Sequence, residues 1–263
     1  AARDWRNDLL DQLIDSTDED RGQEIFRRFG DAFPVAYRER FSAAAALSDI
    51  EHVRAALATG ALGINLYRPD DDGPTEFRLK LYRKSDPLPL SDVLPVLENM
   101  GLRVIDEVPH RIEPGNDGST VWIHDFGLVM RNGADIDIAA IKALFEEAFL
   151  RVWNGEMEND RFNRLVLSAH LYWRKIVLLR AYCKFLSQAG IPFSQSYVAE
   201  TLASNPGITG WFIDLFDSLF DPARQGKQRA TDIEMQILTA LDAVESLDED
   251  RILRRYLNAV LST

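Results

Sequence analysis

The sequence predicts an α+β fold: a four-stranded antiparallel sheet with two helices, flanked by N-terminal helices and a C-terminal helical bundle. Three observations predict it. Apolar residues recur at helical spacing in residues 1–60 and again in 154–263. Between them, Phe77, Leu79 and Leu81 alternate with Arg78, Lys80 and Tyr82, the period of a strand with one buried face. The stretch 61–153 then reads strand, turn, strand, helix, twice over. Three domains follow: 1–60 helical, 61–153 mixed, 154–263 helical.

In the first block, Ser16-Thr17-Asp18-Glu19 matches the S-x-x-E capping box ahead of Ile25, Phe26 and Phe29. Pro34 interrupts that stretch. Ser48-Asp49-Ile50-Glu51 matches a second box, and Gly60 supplies the stop for the helix it opens.

In the middle block, Asp70-Asp71-Asp72-Gly73-Pro74 is a turn, which makes Gly63–Tyr67 the hairpin partner of the Phe77 strand. After the loop Ser85–Pro89, Leu90, Val93, Leu94, Leu97 and Met100 share one helix face, and Gly101 stands where a C′ glycine belongs. Pro95 is expected near the first turn of that helix, where a missing N–H matters least. Leu102–Ile112 is a strand whose Pro109 suggests a sheet edge or a bulge. Pro114-Gly115-Asn116-Asp117-Gly118 turns the chain into a long strand, Thr120–Met130. Ile138, Ile141, Phe145, Ala148 and Val152 then line a closing helix, with Asp135 or Asp137 as its cap. Two helices can bury their apolar stripes on one face of such a sheet, giving a ferredoxin-like plait or a permuted relative of it.

The third block has helical period only. Phe162–Leu186 reads as one helix stopped by Gly190-Ile191-Pro192. Ser194 starts the next, and Asn205-Pro206-Gly207 ends it. Ile208, Trp211, Phe212, Leu215, Phe216 and Leu219 line a third, stopped by Asp221-Pro222. Thr231-Asp232-Ile233-Glu234 caps a fourth, and Ile252, Tyr256, Leu257 and Val260 mark the last. That pattern runs to the end without a stop signal, and no initiator Met opens the chain. Both lead to the expectation that the natural protein is longer.

Composition narrows the function. The net charge of −12 disfavours nucleic acid and anionic membrane as partners. No apolar run approaches the roughly 18 residues of a membrane span, and the N-terminus has no signal-peptide character. A single cysteine, Cys183, rules out an internal disulfide and fits a reducing, cytoplasmic setting.

Neither G-x-G-x-x-G nor G-x-x-x-x-G-K-[ST] occurs, so no dinucleotide or nucleotide cradle is expected in these residues. G-x-S-x-G and H-E-x-x-H are absent too. Cys183 lies in an apolar helical run and reads as packing. His110 and His124 fall on strands able to pair, near Asp106, Glu107 and Asp125. A metal or acid–base site is one reading; sheet-surface histidines sharing hydrogen bonds with carboxylates is the other, favoured because tight Cys/His spacing is missing. Arg224, Lys227 and Arg229 form a basic patch that reads as a solvated connector. Trp122, Trp153, Trp173 and Trp211 read as packing. The one loop with site-like placement is Arg83-Lys84-Ser85-Asp86, between a strand end and a helix start. Backbone N–H groups there suit a carboxylate, and Asp86 suits an ammonium group. The alternative is a charged loop that helps cap the helix.

Longer stretches carry a resemblance. Leu171–Leu186, Ala189–Tyr197 and Phe216–Pro222 resemble segments of the large bacterial NAD-specific glutamate dehydrogenases. Phe77–Leu102 looks like the last ACT-type domain of that family, and the likeness spans roughly 37–263. The resemblance implies a regulatory region N-terminal to a catalytic domain. That domain deaminates L-glutamate to 2-oxoglutarate and ammonia with NAD as hydride acceptor. No position here matches the catalytic motifs, so the resemblance gives these residues no catalytic role, no cofactor and no metal. It implies as partners the catalytic half of the same chain, further copies in a homo-oligomer, and an amino-acid effector. ACT domains generally take an effector at the loop after the first strand, here Arg83–Pro89. Prolines stand where ligand-binding loops of that kind carry glycine, which leaves a purely scaffolding role open.

Overall fold

The computed structural model describes residues 4–69, 73, 75–115, 117–223 and 226–263, without the Lys227 side chain. Most of the Asp70–Pro74 turn, Asn116 and Arg224 lie outside the described residues. The chain divides into two compact units: Ala1–Leu94 with Arg103–Ile138, and Pro95–Leu102 with Ala139–Thr263.

Four helices open the first unit: α1 (Trp5–Ser16), α2 (Glu19–Phe29), α3 (Val35–Arg40) and α4 (Ala43–Thr59). Short polar side chains start three of them, and Pro34 starts α3. Asp18 accepts from the Arg21 N–H at 2.9 Å, and Ser42 accepts from the Ala45 N–H. Neither expected capping box holds. Ser16 is the last residue of α1, and its hydroxyl donates back to Leu13 O at 3.2 Å, so Asp18 takes the cap. Ser48 lies inside α4, because Ser42 already opens that helix. Gly60 ends α4 in the left-handed region at φ 71°, as expected.

The sheet follows: β1 (Gly63–Tyr67), β2 (Glu76–Lys84), then helix α5 (Leu90–Asn99), β3 (Leu102–Ile112) and β4 (Val121–Met130). Its order is β1-β2-β4-β3. β1 pairs with β2 and β2 with β4, both antiparallel, with Leu66 opposite Leu79 and Leu79 opposite Phe126. Moving the last strand of a ferredoxin-like plait to its front produces this order, so the permuted arrangement is the one adopted. β3 is an edge strand, which is why it tolerates Pro109. Pro95 sits inside α5 rather than in its first turn, because that helix begins at Leu90. The missing amide leaves the Ser91 carbonyl without its helical donor.

β2 departs from the expected single buried face. Phe77, Leu79 and Leu81 are buried, but so are Lys80 and Tyr82 on the other side. That second face meets the N-terminal helices: Leu9, Leu13, Phe29, Phe33, Tyr37, Ile50 and Val53 cluster with Tyr82, Ile112, Val121 and Ile123.

The second unit is helical: α6 (Ile138–Trp153), a 3₁₀ turn (Arg161–Arg164), α7 (Leu165–Ser168), α8 (Trp173–Gln188), α9 (Gln195–Ser204), α10 (Pro206–Phe220), α11 (Lys227–Leu241) and α12 (Leu247–Leu261). The single helix expected over Phe162–Leu186 is broken. His170 adopts φ 51° between α7 and α8, and the Leu171 N–H turns back to Leu165 O at 3.1 Å. Apolar period persists across the break, so spacing alone does not reveal it. Thr231 lies inside α11, which Gly226 opens, so its capping box is also unused. Ser194 starts α9 as expected, and Asn205-Pro206-Gly207, expected to end that helix, also opens α10, with Pro206 as its first residue. Arg180, 1% exposed, locks the bundle: it donates to both Asp160 oxygens at 2.7 and 2.9 Å and to Asn163 Oδ1 at 3.0 Å. Tyr256 reaches the Leu179 carbonyl at 3.0 Å and stacks on Phe212.

Gly60→Ala tests the link from backbone to stability. Nothing lies within 4 Å of an added Cβ, so the cost is conformational alone. It should lower unfolding free energy by about 1 kcal/mol, read by urea denaturation, while the circular dichroism spectrum stays unchanged.

Candidate functional site

The loop Arg83–Asp86 is placed as expected, after a strand and before a helix. Arg83 and Lys84 are the last residues of β2, and α5 begins at Leu90. Ser85 takes φ 72°, an uncommon value for a non-glycine residue. Its N–H donates to Thr120 O at 2.9 Å, and the Asp86 N–H donates to Lys84 O at 3.0 Å. The Leu88 N–H donates to His124 Nε2 at 2.9 Å. Pro87 has no N–H. The amides suited to an anion are thus already engaged, and the loop presents side chains instead: Lys84, Ser85 and Asp86 are exposed. Lys84 Nζ itself donates to Leu57 O at 3.1 Å.

A denser constellation lies under the N-terminal helices. Asp49, 1% exposed on α4, accepts from Tyr37 on α3, from Lys80 Nζ at 2.6 Å and from Tyr82 at 2.7 Å. Lys80 is itself 2% exposed, and its ammonium lies 3.7 Å from the Phe41 ring centroid. Beside it, Asp125 is fully buried on β4. Asp125 accepts from Tyr67 and from Arg78 Nε, each at 2.9 Å, and Arg40 approaches to 3.4 Å. Arg78 continues to Asp106 at 2.8 Å, and Asp106 takes the Gly127 N–H at 3.1 Å. Three cations, Arg40, Arg78 and Lys80, thus face three carboxylates, Asp49, Asp106 and Asp125.

Environment sets the protonation states. Burial pushes the Asp125 carboxyl up, against the pull of Arg78 and the Tyr67 hydrogen bond. Burial, then Asp49, raises the Tyr37 and Tyr82 phenols well above their ordinary range, so they remain donors. Arg78 outweighs desolvation at Asp106 and holds it low.

The two histidines are buried rather than on the sheet surface. His124 does share a carboxylate, with Nδ1 2.7 Å from Glu107 Oε1. His110 instead packs edge-on against Tyr37 and Phe41, and its Nε2 has no partner. Burial, then Arg40 and Lys80, pushes its pKa down to about 4. Among the described residues, no three His, Cys, Asp or Glu side chains converge in metal-binding geometry. Cys183 is buried, which raises its thiol pKa, so it packs rather than reacts.

Residues 61–141 match the family model described as glutamate dehydrogenase, ACT3 domain. Residues 12–56 and 157–222 match its helical motif 2 and helical motif 3. The whole chain aligns with NAD-specific glutamate dehydrogenases of Halomonas elongata (42% identical), Pseudomonas aeruginosa (39%) and Mycobacterium tuberculosis (34%). The chain belongs to the glutamate dehydrogenase family. It spans 16% of the length of each of these relatives.

In these terms the buried cluster joins helical motif 2, which contributes Tyr37 and Asp49, to the ACT3 sheet, which contributes Lys80 and Tyr82. Sequence reasoning missed it. The available signal was Asp49, which falls in the apolar stripe Ala46, Ile50, Val53, Ala56 of α4, where a carboxylate needs a buried partner.

Removing one member strands the other. Asp49→Leu or Lys80→Met alone should each cost roughly 3–5 kcal/mol in urea unfolding. The double change should recover most of that loss, and simple additivity of the two single effects would show that they are not paired. His110 supplies a pH signature. Its folded pKa lies below the ordinary 6.5. Between those values the unfolded chain binds a proton that the folded chain refuses, so stability falls as pH drops from about 6.5 to about 4. His110→Phe keeps the ring packing and should flatten this acid limb by roughly 2–3 kcal/mol, measured by denaturation at stepped pH.

Proposed function

We propose that these residues form a non-catalytic regulatory and assembly region of an NAD-dependent glutamate dehydrogenase. The parent would convert L-glutamate and NAD to 2-oxoglutarate, ammonia and NADH. The match of residues 61–141 to an ACT3 domain, on a permuted plait, carries this reading. The lack of any glycine-rich dinucleotide turn in the sequence agrees with NAD being bound elsewhere in the parent. In this reading the partners are the catalytic half of the same polypeptide and further copies in a homo-oligomer. Nucleic acid is disfavoured by the net charge of −12. No helix among the described residues is long and apolar enough to cross a membrane, and we place the enzyme in the cytoplasm.

Regulation would act through an amino-acid effector at Arg83, Lys84, Ser85 and Asp86. With the Ser85 and Asp86 amides engaged, recognition falls to side chains: Arg83 and Lys84 toward a carboxylate, Asp86 toward an ammonium. That same engagement favours a second reading, in which the region holds the enzyme together and takes no ligand.

Titration calorimetry with the proteinogenic amino acids, on this chain and on the full-length enzyme, separates the two. The effector reading expects one to bind, with affinity reduced about tenfold or more by Lys84→Ala or Asp86→Ala. If none binds either protein, that reading is wrong and only assembly remains. If the full-length enzyme without this region still assembles and works normally, assembly fails as well. The chain alone should form no NADH from glutamate and NAD.

A further inference from the structure

His124 ties the loop Ser85–Pro89 to the sheet. It is 3% exposed on β4, and both of its ring nitrogens are engaged. An amide N–H only donates, so the Leu88 N–H at 2.9 Å makes Nε2 the bare nitrogen. The ring proton then sits on Nδ1, which donates to Glu107 Oε1 at 2.7 Å. One neutral tautomer is thus held from both sides.

The loop depends on that ring. Pro87 and Pro89 have no N–H, so Leu88 supplies the one backbone donor between Asp86 and Leu90. Leu88 is 4% exposed, so its amide cannot exchange the imidazole for water unless the segment moves. At the start of the loop Ser85 holds φ 72°, a left-handed value that a non-glycine residue keeps only where its surroundings impose it.

Protonation inverts the acceptor. A proton taken from solvent at Nε2 makes that nitrogen a donor facing the Leu88 N–H, and the hydrogen bond between them is lost. The Glu107 carboxylate supplies the counter-charge that a buried imidazolium needs. His110 instead has Arg40 and Lys80 beside it, which oppose a charge. Around His124, Leu81 stands opposite on β2, and the Trp122 and Phe126 rings flank it along β4 at 6.3 Å. Arg83, opposite Trp122, lies one step along the same face and is partly exposed, while Lys84 turns to Leu57 O at 3.1 Å. Arg103 and Arg111 fall four residues either side of Glu107 on β3, about 13 Å along the strand. Both are exposed, and Arg111 pairs with Glu113 at 2.7 Å. Asp86 of the loop and Asp92 in the first turn of α5 are exposed as well. Among the described residues, Glu107 is the ionisable group in direct contact with the ring.

We propose that His124 is a pH-sensitive latch on the loop Ser85–Pro89: neutral, it holds the Leu88 amide; protonated, it stays with Glu107 and releases the loop. This does not rest on effector binding at Arg83–Asp86.

Nuclear magnetic resonance on the full chain tests it, in the His110→Phe background so that the other acid-sensitive histidine is absent. At about pH 8 the His124 ring should carry its proton on Nδ1. As pH falls to about 5, protection of the Leu88 amide against hydrogen exchange, corrected for intrinsic rates, should drop about tenfold or more. The midpoint should coincide with that of the His124 ring signal, while the Leu79 amide on the central strand keeps its protection. His124→Gln offers an acceptor that does not titrate, and should keep Leu88 protected across the whole range. His124→Phe keeps a ring but no acceptor, and should leave Leu88 unprotected throughout. A proton on Nε2 at neutral pH overturns the proposal. So does Leu88 protection that stays constant while the ring titrates, an equal fall in His124→Gln, or a ring that remains neutral until the chain unfolds.

Discussion

The first unit depends on one buried carboxylate. Asp49 accepts three hydrogen bonds, from Tyr37, Lys80 and Tyr82, and thereby ties two helices to the central strand of the sheet. A charge so placed is intolerable alone and tolerable only with every partner present. This makes the joint selective rather than merely sticky. Apolar helices slide on an apolar sheet at modest cost, whereas a one-residue shift of β2 would turn Lys80 to the opposite face and leave Asp49 unpaired. The neutral balance of three cations and three carboxylates extends the same logic across β4 to the β3 edge.

The two faces of the sheet therefore obey different rules. One is mainly apolar, with Leu66, Leu79, Leu81, Phe126 and Leu128 all nearly inaccessible, and its buried polar member, His124 opposite Leu81, is held by Glu107. The other mixes Tyr67, Arg78, Lys80 and Asp125 with aromatic rings from α3 and its C-terminal end. Burial on the first is driven mainly by the hydrophobic effect. Burial on the second depends on matched partners, and His110 shows the limit of that matching. Its ring is packed by Tyr37 and Phe41 but its Nε2 is unpaired, so protonation in acid acts directly on this layer.

Much of the fold was legible in the sequence because the signals were local. The alternation at Phe77–Tyr82, the stop at Gly60, the edge-strand proline at Pro109 and the start at Ser194 each act within a few residues. The failures share one cause: competition that local pattern does not record. Ser16, Ser48 and Thr231 all look like caps, but an earlier start had already claimed each helix, or the preceding helix had claimed the serine. His170 breaks an uninterrupted apolar period. The polar face of β2 reads as solvent-facing because Arg78 and Lys80 usually are, and the carboxylates that pair with them lie 28 to 47 residues away along the chain. Loop Arg83–Asp86 was found by position, while the use of its amides by Thr120 and Lys84 was visible only in three dimensions.

β2 brings these features together. It is a central strand, paired on both sides, and it carries Lys80 of the buried cluster and Lys84 of the loop Arg83–Asp86. Both lysines reach the same helix: Lys80 to Asp49, and Lys84 to the Leu57 carbonyl. From position 80 to 84 a strand advances about 13 Å, and from 49 to 57 a helix advances about 12 Å. The two rises match, so α4 runs beside β2 with one tether at its middle and one near its C-terminal end. A ligand drawing Lys84 toward its own carboxylate would release the outer tether and leave the inner, buried one intact. Such a loss weighs on the end of α4, where Gly60 already terminates the helix, and far less on its middle, where Asp49 is held. Any signal from the loop would thus reach α4 as a change at its C-terminal turn, with the charge cluster acting as the fixed point.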